Sequence, residues 1–164
     1  MDSIQTTIEL FKEEMKFSAG HFTIFSATER ERLHGHNFTV YCALTGPVGP
    51  NGMLANYGDF KKRLFALCRR FNEYFLLPGE SPHLRVVQEG EHVYAHFAGE
   101  VIPFLAKDVM ILPIRNVTLE EMARHFVSEI VNNKDIFDEE EITAVTVKIS
   151  SGPGQFAASR WELA

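Results

Sequence analysis

A chain of 164 residues, 45% apolar and 23% charged, has the makeup of one globular domain spanning 1–164, long enough to bury a substantial core. Its net charge of −6, with basic residues interleaved among acids as in Glu29-Arg30-Glu31-Arg32, argues against a nucleic-acid surface. No segment has the length of a membrane span and the first residues lack a signal-peptide pattern. A reducing, cytoplasmic setting is therefore expected, in keeping with Cys42 and Cys68, which form no CxxC or metal-ligand spacing.

In chain order, residues 9 to 25 read as a first, irregular strand, followed by a charged turn over 28 to 32. From Asn37 to Gly46 the sequence alternates: Phe38, Val40, Cys42 and Leu44 on one face, Thr39, Tyr41 and Thr45 on the other. That is the period of a half-buried strand. Gly46-Pro47 through Asn51-Gly52 breaks it. Asp59 is placed to cap a helix ending near Phe71, with Phe60, Leu64, Leu67 and Phe71 on one face. Residues 84 to 97 read as a hairpin turning at Glu89-Gly90, and Val109 to Leu112 as a short strand. Thr118-x-x-Glu121 has the form of a capping box ahead of a stripe of Leu119, Met122, Ala123, Phe126 and Ile130. A strand over 142 to 149 and a last short one after Gly152-Pro153-Gly154 complete the order. Strands and helices come in blocks, which predicts an α+β fold with an antiparallel sheet and a hairpin insert.

The chemistry centres on histidines. His34-Gly35-His36 opens a strand, where residues i and i+2 project to one face. A bare His-x-His recurs by chance, but His21 lies on the preceding strand-like segment, where an antiparallel neighbour would bring it across from the pair. Three neutral imidazoles leave a fourth zinc position open, as a catalytic site requires. The remaining histidines, His83, His92, His96 and His125, have no such partners and read as surface or packing residues.

The blocks Phe17-Ser-Ala-Gly-His21-Phe22 and Glu31-Arg-Leu-His34-Gly-His36-Asn37-Phe38 resemble the 6-pyruvoyl-tetrahydropterin and 6-carboxy-tetrahydropterin synthase family. The resemblance continues in order through Gly52-Met53, Gly58-Asp59-Phe60-Lys61, Leu76-Leu77-Pro78, Pro82-His83-Leu84, Leu112 to Glu120, and Ser151-Gly152-Pro153-Gly154-Gln155. It implies a tunnelling fold, ββααββ, whose antiparallel sheet closes into a barrel in a homo-oligomer, with six chains in the family's pattern of stacked trimers. It implies Zn2+ held by His21, His34 and His36, and a lyase acting on the side chain of a dihydropterin such as dihydroneopterin triphosphate. Thr118, Glu120 and Ser151 then stand at substrate-binding positions.

The pattern also departs from the family. The cysteine expected before His-Gly-His is absent, and Glu31 resembles the glutamate that replaces it in the type III subgroup; a carboxylate can serve as the base. The expected Asp-His dyad reads Asn72-Glu73, with Glu73 as a second candidate base. The carboxylate that anchors the pterin edge is expected where Ser151 stands, and an Asp after Gly-Met reads Asn56. These changes leave an alternative, a divergent zinc-binding paralogue with a non-pterin substrate or no turnover.

Overall fold

The computed structural model describes residues 4–134, 137 and 142–164. In chain order the elements are β1 (Gln5–Leu10), β2 (Lys16–His21), β3 (His34–Pro47), α1 (Tyr57–Phe71), β4 (Tyr74–Pro78), β5 (Arg85–Glu89), β6 (His92–Phe97), β7 (Glu100–Leu105), β8 (Val109–Leu112), α2 (Leu119–Val131), β9 (Ala144–Ser150) and β10 (Ala157–Glu162). The fold is α+β, as expected. The order β10-β9-β3-β2-β4-β8 makes the main sheet, with β1 sharing β3.

Three expectations need correction. The main sheet is mixed, because β4 runs parallel to both β2 and β8. Each of these pairs is joined by a long crossover, through β3 and α1 in one case and through the insert in the other, which frees the strands from hairpin geometry. The predicted hairpin over 84–97 is present as β5-β6, but the insert adds a third strand, β7, and is a three-stranded meander. Its first turn falls at Gly90, in the left-handed region at φ 59, and its second at Ala98-Gly99. The irregular first strand is two strands, β1 and β2, separated at residues 11–15. Both lie along the same edge of the long β3, at residues 42–47 and 34–39 respectively.

The helices bury the stripes their periodicity predicts. Phe60, Leu64, Leu67, Cys68 and Phe71 of α1 and Met122, Ala123, Phe126 and Ile130 of α2 join Phe38, Val40, Cys42 and Leu44 of β3 in one core. Stacked rings run through it: Phe17 on Phe38 at 5.1 Å, and Phe17 on Phe126 at 5.7 Å. The α1 cap is misplaced by the sequence reading. The helix starts at Tyr57 after Asn56, and Asp59 instead accepts from Asn56 Nδ2 at 3.0 Å inside the first turn. Thr118 does cap α2, its Oγ1 accepting from the Glu121 amide at 3.3 Å. Glu121 does not close the box; its carboxylate takes the Arg115 amide and the Arg115 and Arg124 guanidinium groups. No helix among the described residues is long and apolar enough to cross a membrane.

Candidate metal centre and active site

The β2–β3 register pairs His21 with His34 and Ala19 with His36. Since side chains on paired strands share a face, all three imidazoles stand together at one end of the helix-covered face, above Phe38. The ring centroids are 4.6 to 5.1 Å apart, and one nitrogen from each ring lies within 4.8 Å of the others.

The hydrogen bonds fix the tautomers. His21 is buried, and its Nδ1 sits 2.9 Å from the Val117 carbonyl oxygen. A carbonyl only accepts, so Nδ1 carries the proton and Nε2 presents a lone pair. That Nε2 is buried and has no hydrogen-bond partner among the described residues. His34 repeats the arrangement with the Arg32 carbonyl at 2.7 Å, and its Nε2 lies 3.1 Å from His36 Nε2. The buried, unpaired lone pair of His21 Nε2, with nitrogens of the exposed His34 and half-buried His36 beside it, fits a cation, and carbonyls on Nδ1 are how ligand imidazoles are held. Burial lowers the proton affinity of His21 and, with its neighbour His34, that of His36, which keeps these rings neutral and able to ligate. Gly35 has a steric reason: a Cβ there would stand 3.1 Å from the Ala19 carbonyl oxygen.

Glu31 reaches this centre from the β2–β3 connection. Its Oε2 accepts from the Thr23 amide at 2.9 Å and lies 3.7 Å from His34 Nε2. Partial burial raises its pKa, but the bonds from Thr23 and the nearby imidazoles outweigh this and hold it below the ordinary value. The connection folds back on itself: the Glu31 amide donates to the Thr23 carbonyl, and Ile24 bridges Arg30. Asn116 clamps it further, accepting from the Ile24 amide and donating to the Ile24 carbonyl. Sequence reasoning missed Thr23, Arg30 and Asn116 as supports, although Asn116 lies inside a quoted block.

The other predicted residues are spread more widely. Glu73 stands at φ 66, its amide donating to the Ser18 carbonyl at 2.7 Å. It lines, with His36, Asn37 and Asp108, a cavity of about 520 Å³. Asn72 is occupied structurally, its Oδ1 accepting from the Ser18 amide at 2.9 Å. Thr118 adjoins the centre through Val117, while Glu120 is exposed in the first turn of α2. Ser151 follows the last residue of β9 and its Oγ accepts from Gln155 Nε2 at 3.2 Å; no hydrogen bond ties it to the histidines among the described residues.

The model of the 6-pyruvoyl tetrahydropterin synthase family matches residues 10–162. A Methanocaldococcus jannaschii protein named as a candidate 6-carboxy-5,6,7,8-tetrahydropterin synthase is 25% identical over 89% of this chain and 90% of its own. The 6-pyruvoyltetrahydropterin synthase of Plasmodium vivax, in a variant with a catalytic glutamate changed to alanine, superposes with a TM-score of 0.90 at 20% identity, covering 98% of this chain and 99% of that one. The Plasmodium falciparum enzyme matches with a TM-score of 0.90 at 21% identity, covering 99% and 100%. The fold, the order of the motifs and the extent of the family match agree, and the chain belongs to the 6-pyruvoyl tetrahydropterin synthase family.

Proposed function

We propose that the chain is a zinc-dependent lyase acting on the side chain of a dihydropterin, dihydroneopterin triphosphate or a relative. The observation that carries the reading is the buried, unpartnered Nε2 of His21, facing two further imidazoles beside a positioned carboxylate. His21, His34 and His36 would hold Zn2+, which when bound acts as a Lewis acid toward substrate oxygens. Glu31 takes the proton as general base, held in place through Oε2 by the Thr23 amide. That the residue replaced in the Plasmodium vivax catalytic variant is also a glutamate supports this choice and the type III reading. Glu73, across the cavity it shares with His36, is the second candidate for proton transfer. Thr118, Glu120 and Ser151 are proposed on the substrate side. Burial pushes the pKa of the Cys42 and Cys68 thiols up to about 12, which leaves them protonated and unreactive; both are free, and a cytoplasmic setting stays part of the proposal.

The test is to load the protein with zinc, incubate it with dihydroneopterin triphosphate and identify the product by mass spectrometry. Glu31→Gln should retain zinc while turnover falls by about 10²–10⁴-fold, the usual cost of a lost general base. Unchanged turnover would move that role to Glu73. A second reading, zinc binding without pterin turnover, is favoured by Asn72, whose side chain is engaged with the Ser18 amide, and by Ser151, which offers no charge at the position of the pterin anchor. Stoichiometric zinc without conversion of any dihydropterin would establish it.

A further inference from the structure

The segment from Phe22 to Leu33 carries Glu31, and the insert sheet provides much of what holds it. Phe22 and Ile24 belong to a buried cluster in which Val93, Ala95 and Phe97 of the insert meet Leu84 and, from β4 of the main sheet, Leu77. The Arg30 guanidinium lies over the rings of Phe22 at 5.3 Å and Phe97 at 5.8 Å. Its Nη1 donates to the Glu31 carbonyl at 2.9 Å, and its Nη2 donates to Oε2 of Glu100, the first residue of β7, at 3.1 Å. A planar guanidinium can lie flat on rings while N–H groups along its edge reach two separated acceptors; an ammonium is a compact point charge without that flat face and fork. The Nε is buried without an acceptor, so stacking and the two Nη bonds fix the side chain. Glu100 is largely exposed, so its ion pair contributes little by itself; the bond to the Glu31 carbonyl, at a partly buried Arg30, is the stronger link.

We propose that Arg30 is a positioning residue for Glu31, and that the three-stranded insert anchors the catalytic segment through it. The proposal rests on the reading of Glu31 as base. Arg30 acts through the Glu31 backbone and the packing of Phe22, which directly follows His21.

Zinc-loaded wild type, Arg30→Lys, Glu100→Gln and Glu100→Lys would be compared by hydrogen–deuterium exchange and by steady-state kinetics on the pterin substrate. Arg30→Lys keeps the charge and loses the fork. Exchange across residues 23–31 should rise about ten-fold or more, the effect of one lost charge-assisted bond, while exchange in α2 and zinc content stay unchanged. Its kcat should fall by up to about 10²-fold with KM nearly constant, because a misplaced base weakens the chemical step and not binding. Glu100→Gln keeps an acceptor for Nη2 and should stay close to wild type. Glu100→Lys, at an exposed position, removes the Nη2 acceptor and sets a like charge against Arg30; it should loosen 23–31 in the same direction by a smaller factor, even where Arg30→Lys fails to fold. Unchanged exchange over 23–31 in both lysine variants overturns the proposal, as does faster exchange with kcat intact. A wild type without turnover on any dihydropterin overturns the reading of Glu31, and exchange then decides the anchoring by itself.

Discussion

His21 differs from its two partners in being buried, with Nδ1 given to the Val117 carbonyl and Nε2 left facing His34 and His36. Removing it takes away the most pre-organised of the proposed ligands. His21→Ala should therefore abolish stoichiometric zinc, as should His34→Ala; metal analysis of the purified variants checks both, and zinc equal to wild type would refute the ligand set. Gly35 offers a subtler probe, since it ligates nothing. A Cβ added there meets the Ala19 carbonyl oxygen at 3.1 Å, and neither strand can yield without moving a ligand-bearing residue. Gly35→Ala should cost about 1–3 kcal/mol of stability and weaken zinc binding although all three imidazoles remain. Competition with a chelator measures the second effect, and unchanged affinity would mean the strands give way freely.

At the scale of elements, the start of α2 joins the proposed metal centre to the helix layer. Thr118 caps the helix, and the preceding Val117 orients His21. Thr118→Ala should cost about 1 kcal/mol, and Thr118→Ser should restore most of it, as read by thermal melting. Glu121 supplies a pH signature. Burial raises its pKa, but the guanidinium groups of Arg124 and Arg115 and the Arg115 amide outweigh this and bring it to about 2, below the ordinary 4.5. A carboxylate depressed by folding stabilises above its unfolded pKa, and that contribution is lost as the pH falls through the folded one. The melting temperature of the wild type should therefore exceed that of Glu121→Gln above pH 4.5, with the gap closing toward pH 2. A gap independent of pH would mean that geometry, not charge, is what Glu121 provides.

For the whole molecule, the open edges are the instructive feature. Among the described residues, the main sheet ends at β10 on one side and β8 on the other, and residues 34–38 of β3 have a strand partner only on the β2 side. Exposed edges of this kind invite further strands, and closing them is a way to keep a sheet soluble. Phe156 and Leu163, flanking β10, are exposed apolar residues at one such edge. We expect a homo-oligomer, with the hexamer implied by the family resemblance: light scattering should give about six times the 18.6 kDa of one chain, and a stable monomer at micromolar concentration would refute it.

How much of this could be read in advance depended on whether the cause was local. The alternation of Phe38, Val40, Cys42 and Leu44 and the stripes of both helices are local periods imposed by burial on one face, and they persist in the fold. His34-Gly35-His36 was legible because strand geometry alone puts positions i and i+2 on one side. The Thr118 cap was legible because a side chain reaching three residues along needs no tertiary partner. The Asp59 cap was not, since Asn56 and Asp59 compete for the same turn and the preceding chain decides between them. The parallel placement of β4 escaped the reading because strand direction depends on where long crossovers return the chain. By itself, then, the sequence determined the α+β class and the faces of the elements, and it singled out the three histidines that the fold brings together and the Glu31 beside them. Only the tertiary structure decided that Val117 and Arg32 would set the imidazole tautomers, that Asn72 would be tied to β2, and that Arg30 would join Glu31 to the insert. Except for the short-range bonds from His34 and Arg30 to their near neighbours, these contacts join residues far apart in sequence, where neither period nor spacing carries a signal.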